Sequence, residues 1–199
     1  MNNPATVQKV RIPPRLETGD LHLRPLRAGD EHLLLQYLSK PAVLEHTSIP
    51  VPTLQSLTAS VAQDIAAYIE GTSFRFALAG SDDRLIGICG FNNWSPVHRH
   101  AELAYDLSPE HWGRGSMRNA VLTVLRWGLT ELELNRVHAY VMTTNVRSIR
   151  LLEHCGFLRE GTLRQFRIAR GQPKDFYLYA LLAQDFAPTA GGAAELKVR

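Results

Sequence analysis

Apolar residues in this chain follow two rhythms, and the switches between them predict where strands and helices lie. Leu21-His22-Leu23-Arg24-Pro25-Leu26 alternates apolar with other residues, as an edge strand that tolerates its proline would. From Asp30 the spacing changes to Leu33, Leu34, Tyr37 and Leu38, one apolar face of a helix. Pro50 and Pro52 interrupt the chain. A second helix follows from Leu54 to Ile69, with Leu57, Val61, Ile65 and Ile69 at every fourth position. Three strands are then predicted, Phe74 to Ala79, Leu85 to Phe91 and Arg99 to Leu107, with Ser81-Asp82-Asp83 as the hairpin signal between the first two. The strongest helical stripe runs from Ser116 to Leu132 through Met117, Ala120, Val121, Val124, Leu125, Gly128, Leu129 and Leu132. Val137, Ala139 and Val141 alternate as a strand, and a short helix from Val146 to Cys155 stops at Gly156. Phe157 to Ile168 and Phe176 to Leu182 read as a final hairpin around Gly171.

The order is strand, two helices, three strands, helix, strand, helix, hairpin, without an internal repeat. One mixed α/β domain over residues 21–186 is the expectation. Residues 1–20 hold Pro4, Pro13, Pro14 and Gly19 with no periodicity and read as an N-terminal arm. Residues 187–199 read as a flexible C-terminal tail. Of the 199 residues, 45% are hydrophobic and 21% charged, which suits a globular core. No apolar run approaches the roughly 20 residues that span a bilayer, and the N-terminus lacks a signal peptide's apolar stretch. With only Cys89 and Cys155, neither a disulfide framework nor a cysteine-based zinc site is expected, and a cytoplasmic protein is the reading. The net charge of +3 is scattered rather than gathered into a stripe, so it fits a small anionic ligand as well as a nucleic acid.

The densest chemistry lies where the third strand passes through Trp112-Gly113-Arg114-Gly115-Ser116 into the long helix. A helix start carries unpaired N–H groups and partial positive charge, which together attract phosphate. Gly113 and Gly115 let the backbone approach an anion without a Cβ in the way. Arg114 and Arg118 are placed to add charge-assisted contacts. G-x-G alone also fits a plain glycine turn, and neither the Walker spacing nor a third glycine for G-x-G-x-x-G is present.

Ala101-Glu102-Leu103-Ala104-Tyr105 followed by Pro109-Glu110-His111-Trp112-Gly113-Arg114-Gly115 resembles the acetyl-CoA motif of the GNAT superfamily, in its RimJ/RimL-like branch. Asn145-Val146-Arg147-Ser148 through Gly156-Phe157 resembles that branch's second signature, as do Leu21 to Leu26 and Glu160-Gly161-Thr162-Leu163-Arg164. The likeness covers roughly residues 15 to 186. It implies a mixed, mostly antiparallel seven-stranded sheet with splayed central strands and flanking helices. It further implies acetyl-CoA as co-substrate, its pantetheine along Tyr105, Asp106 and Leu107 and its pyrophosphate on Gly113, Arg114, Gly115, Ser116 and Met117. Two departures stand out. Ser116-Met117-Arg118-Asn119 replaces the usual aromatic, small, Thr, Glu, and Leu152 sits where many members carry a tyrosine acid.

Acyl transfer from a thioester needs a neutral amine, a stabilised oxyanion and a proton for the leaving thiolate. By the resemblance Glu102 is the candidate base, and Ser148 is the hydroxyl left on the short helix to orient the sulfur or relay a proton. Glu102 is equally readable as an exposed strand glutamate. Asn145 is expected both to cap its helix and to touch the cofactor, beside Arg147 of the same signature. Trp112 is a candidate shield for the cofactor and Trp94 a candidate wall of the acceptor cleft, though ordinary packing accounts for both. His98 and His100 read as surface residues, and no metal site is expected. The expected acceptor is a primary amine, a protein N-terminus as in ribosomal-protein-alanine acetylation, or a polyamine, aminosugar, antibiotic or amino acid. A catalytically silent acyl-CoA-binding module stays open, as does a homodimer; no nucleic acid or membrane is expected as partner.

Overall fold

The computed structural model describes residues 14–186. Along the chain lie β1 (Leu16–Thr18), β2 (Leu21–Pro25), α1 (Asp30–Leu38), α2 (Pro41–Leu44), α3 (Leu54–Glu70), β3 (Phe74–Ala79), β4 (Leu85–Ser95) and β5 (His100–Leu107). They are followed by α4 (Ser116–Glu131), β6 (Arg136–Met142), α5 (Val146–His154), β7 (Leu158–Ala169) and β8 (Gln172–Leu182). The strands form one eight-stranded sheet in the order β1-β2-β3-β4-β5-β6-β8-β7. Every neighbouring pair is antiparallel except β5 with β6. Among the described residues, no helix is long and apolar enough to cross a membrane.

The eighth strand corrects the expected seven. Leu16–Thr18, within the segment read as an arm, pairs with β2 in the register Leu16↔Leu23 and Thr18↔Leu21. Three residues carry no readable period, but Leu16 is buried in the main core and packing holds the strand there. The single turn α2 was likewise not predicted, and β4 runs beyond Phe91 to Ser95 through an irregularity between Asn92 and Ser95. The tail and residues 1–13 of the arm lie outside the described residues.

Two cores cover the two faces of the sheet. Phe74, Phe76, Phe91, Leu103 and Val137 pack with Val121, Val124 and Trp127 of α4. Ala77 and Ile88 pack with Leu34 and Tyr37 of α1 and Leu57 and Val61 of α3. Because side chains alternate along a strand, β5 sends Ala101, Leu103, Tyr105 and Leu107 toward α4, and Glu102, Ala104 and Asp106 toward α1 and α3.

The parallel β5–β6 pairing stops early. It joins His100↔Arg136, Ala101↔Val137 and Glu102↔His138 and goes no further. Beyond that point β5 stays with β4 as far as Leu107↔Gly87, while β6 stays with β8 as far as Met142↔Phe176. The central strands therefore splay, as the resemblance implied. The gap exposes strand backbone inside the molecule, where polar groups need partners.

Candidate active site

A cleft of about 940 Å³ fills the splay. Its walls come from β5, β6, the turn before α4, the start of α5, the segment after α2, and β7 and β8.

At one end stands the start of α4. Gly113 and Gly115 hold φ of 75° and 79°, left-handed backbone that costs an L-residue about 1–2 kcal/mol. A Cβ at either would meet nothing within 4 Å, so the requirement for glycine is conformational, not steric. α3 and α5 are capped by side chains: Thr53 and Ser56 form a reciprocal capping box, and Asn145 Oδ1 accepts from Ser148 N at 3.1 Å. No side chain caps α4, and its first turn holds no acidic residue. Its leading N–H groups and the positive end of its dipole are left for an anion. Arg147 lies over the Trp112 ring at 4.7 Å, and Trp112 Nε1 donates to Leu107 O at 2.8 Å, so the indole is fixed across the cleft wall.

At the middle, on the α4 side, the Tyr105 hydroxyl and Ser148 Oγ are 2.6 Å apart. Burial pushes the Tyr105 phenol up, against the pull of its Ser148 hydrogen bond, so it stays protonated at any working pH. Leu152, one turn further along α5, is 1% exposed and sits in the core.

On the opposite face Glu102 marks the last paired residue of the splay, 13% exposed. Asn93 Nδ2 donates to Glu102 Oε2 at 2.9 Å, reaching it from the β4 irregularity where Asn93 itself has φ 52°. Arg167 Nη2 lies 3.5 Å from Glu102 Oε1. His138, directly across the pairing, is held below the ordinary imidazole range by burial, with Glu102 pulling the other way. Deeper on this face the Tyr37 hydroxyl donates to Asp106 Oδ1, and Arg75 lies 3.8 Å from Asp106 Oδ2 while donating to Asp64 Oδ2 at 3.0 Å. Burial raises the Asp106 carboxyl above its usual range, opposed by Arg75 and Tyr37.

Every residue expected at the site lines this cleft except Trp94 and Arg114, the latter with its side chain exposed outside it. Arg118, which shares the turn, does line it. Trp94 does not; it packs on Phe74 at 5.2 Å between centroids, so its apolar body serves the core. Sequence reading missed Arg75, Asn93, Tyr140, Arg167 and Phe176. Arg75 between buried Phe74 and Phe76 was the one legible signal, a charge inside a strand covered on both faces. Asn145 joins elements that sequence keeps far apart, since its Nδ2 donates to His46 O at 3.2 Å.

A family model described as an acetyltransferase (GNAT) domain matches residues 20–158. The chain is 37% identical over 174 residues to the uncharacterized N-acetyltransferase p20 of Bacillus licheniformis, covering 86% of this chain and 98% of that protein. It is 31% identical over 121 residues to the ribosomal protein uS5-alanine N-acetyltransferase of Escherichia coli, covering 60% of this chain and 62% of that protein. Among solved structures, the spermidine N-acetyltransferase of Vibrio cholerae in complex with CoA and spermine superposes with a TM-score of 0.75 at 23% identity. That match covers 84% of this chain and 98% of the other.

Proposed function

Because this chain belongs to the GNAT acetyltransferase family, in its RimJ/RimL-like branch, we propose that it acetylates the α-amino group of a protein or peptide N-terminus. It is an N-acetyltransferase with acetyl-CoA as co-substrate, which when bound supplies an activated acyl thioester. The uncapped α4 start and the Gly113–Gly115 turn suit its diphosphate, and the unpaired backbone of β5 suits the amides of its pantetheine. With both cysteines buried as thiols, we read the enzyme as cytoplasmic.

The observation that carries the acceptor reading is how little unpaired negative charge stands opposite the cofactor end. Glu102 faces Arg167, and Asp106 and Asp64 share Arg75. Three carboxylates thus face two arginines, so among these residues at most one negative charge is left over, too little for a polycation. A single ammonium is the better match, and an α-amine with a pKa of about 7.7–8.0 needs only one modest base. Glu102 is that base in this reading. It sits at the splay point, anchored by Asn93 and open to the cleft. Ser148, tied to Tyr105, offers a cleft-lining hydroxyl for the leaving sulfur.

A panel comprising an alanine-first peptide, spermidine and an aminosugar, assayed by thiol release from acetyl-CoA, tests the acceptor. Faster turnover of spermidine than of the peptide overturns it. Glu102→Gln should lower turnover of the accepted amine about 100-fold near neutral pH with little change in acetyl-CoA affinity. The loss should shrink as alkaline pH deprotonates the amine without help. An unchanged pH–rate profile removes Glu102 as base.

A further inference from the structure

The cation that faces the candidate base is itself held in an aromatic box. The Arg167 guanidinium carbon lies 5.4 Å from the Tyr140 ring centroid, 5.2 Å from that of Phe166 and 5.5 Å from that of Phe176, all within the range where a ring face attracts a cation. Tyr140 and Phe166 are 4.9 Å apart, and Phe166 meets Phe176 edge-on at 5.8 Å. Three rings with a carboxylate at the floor make a site for an organic ammonium ion. Its walls come from β6, β7 and β8, and Glu102 of β5 closes it on the cleft side.

Two features show that the arginine is aimed there and loosely held. β7 takes the residues from Leu163 to Arg167 where β8 takes only Phe176 to Lys174, a bulge that re-aims side chains. Within it Gln165 has φ 51°, kept in place by its N–H donating to Asp175 Oδ1 at 2.7 Å. The bulge also leaves Phe166 41% exposed, a large apolar ring packed on the cleft-lining Tyr140 and Phe176. The contact itself is slack. Arg136 closes on Glu160 through two bonds of 2.8 and 2.5 Å, whereas Arg167 stops 3.5 Å from Glu102 and stays 40% exposed. A charge-assisted bond would be about 2.7–2.9 Å.

We propose that the box of Tyr140, Phe166 and Phe176 over Glu102 is the subsite for the acceptor's ammonium group, and that Arg167 occupies it as an internal surrogate until an acceptor displaces it. The inference rests on Glu102 being the acceptor-side base. It explains how Glu102 can be paired at rest and still offer one free carboxylate to one incoming cation. Occupancy by Arg167 reduces the apparent affinity for any cation; if the arginine fills the box about nine tenths of the time, the reduction is about tenfold.

The test reads binding rather than catalysis. Choline is titrated into the wild-type protein and into Arg167→Ala, following the ring resonances of Tyr140, Phe166 and Phe176 by NMR, with the neutral isostere 3,3-dimethylbutanol as a parallel arm. Choline should bind Arg167→Ala about tenfold more tightly than wild type. Arg164→Ala, which removes an exposed charge from the same strand, should leave choline binding as in wild type. Adding Glu102→Gln to Arg167→Ala should abolish most of the gain. Equal choline affinity in wild type and Arg167→Ala, equal binding of the neutral isostere, or the same gain from Arg164→Ala each overturns the proposal. If no amine of the acceptor panel is acetylated, the acceptor reading fails and these titrations still decide the box. If the box fails to bind choline, acetylation of the peptide still stands.

Discussion

Replacing Gly115 by alanine isolates what the turn before α4 contributes. Gly115 is the residue preceding the helix, with φ 79° and ψ −5°, and an added Cβ would meet no atom within 4 Å. The substitution therefore brings no clash with neighbours, only the cost of left-handed backbone, about 1–2 kcal/mol. That cost has two outlets. If the turn keeps its shape, the folded state bears it, offset by about 0.4–1 kcal/mol from the reduced freedom of the unfolded chain. The net loss of about 1 kcal/mol lowers Tm by about 2–4 °C for a domain of this size. If the turn relaxes instead, stability is spared and CoA must restore the cradle on binding, weakening Kd by about 5–30-fold. Calorimetric titration with CoA and thermal unfolding of the free protein measure the two outlets separately. Gly115→Asn is the control, because asparagine tolerates this backbone better than alanine. A Gly115→Ala protein that binds CoA within twofold of wild type and melts within 1 °C of it refutes the conformational argument. So does an asparagine variant no better than the alanine one.

Two further outcomes are expected. Ser148→Ala should lower kcat about tenfold, the worth of one hydrogen bond of about 1.4 kcal/mol. Tyr105→Phe should act through the same hydroxyl, 2.6 Å away, so the double variant should be no slower than Ser148→Ala alone; additive losses would show that the pair does not work as a unit. Away from the cleft, Asp83 accepts from His22 at 2.8 Å and Arg27 at 2.6 Å, with Arg24 at 3.3 Å, and these partners, His22 first, hold its carboxyl below the usual range. A depressed folded pKa contributes stability above the unfolded value of about 3.9, and loses it as pH falls through the folded value. Asp83→Asn, which tolerates the φ of 60°, should cost about 1 kcal/mol at pH 7 after allowing for screening at a group 35% exposed. Urea unfolding from pH 7 downward should show that gap closing toward pH 3; a constant gap would mean that the carboxylate charge is not its source.

What the sequence made legible, and what it did not, divides along physical lines. The α4 stripe was readable because one helix face carries Met117, Ala120, Val121 and Val124 into the core with little interruption. The strands β3 and β5 and the hairpin at Ser81-Asp82-Asp83 were readable for the same reason: local pattern and burial agree. β1 and α2 were not, since three or four residues cannot show a period and are held by what they pack against. The glycine turn was readable because positive φ nearly demands glycine, so backbone geometry leaves a mark in residue type. Glu102 was singled out by the resemblance; its position as the last β5 residue paired to β6 is a property of the sheet. Arg167, Tyr140 and Phe176 left no mark at all. The bulge at Gln165 breaks the alternation that would assign a face to Arg167, and the box joins three strands that are remote from Glu102 in sequence.

The features that a ligand-free fold would avoid are concentrated in one place. β5 and β6 part while still in the interior, α4 begins without a cap, two glycines hold left-handed turns, and Phe166 stands half in water. Three of them leave something unsatisfied, strand amides and carbonyls, helix N–H groups and an exposed ring, and the glycines keep the helix start open to a ligand. Structural explanations for any one are available, but they do not predict that three line a single cleft and the fourth packs on its wall. Binding of one long ligand with an anionic end and an amide-bearing arm, and of a cation from the other side, satisfies them together. The same logic makes the cleft walls the least stable part of the sheet before binding, because their local polar groups lack protein partners. Hydrogen exchange at Leu103 to Leu107 should therefore be faster than in β3 in the free protein and should slow when CoA binds. Equal protection of the two strands without CoA would show that the splay is closed in solution, and the chain of reasoning from unpaired backbone to cofactor would lose its first step.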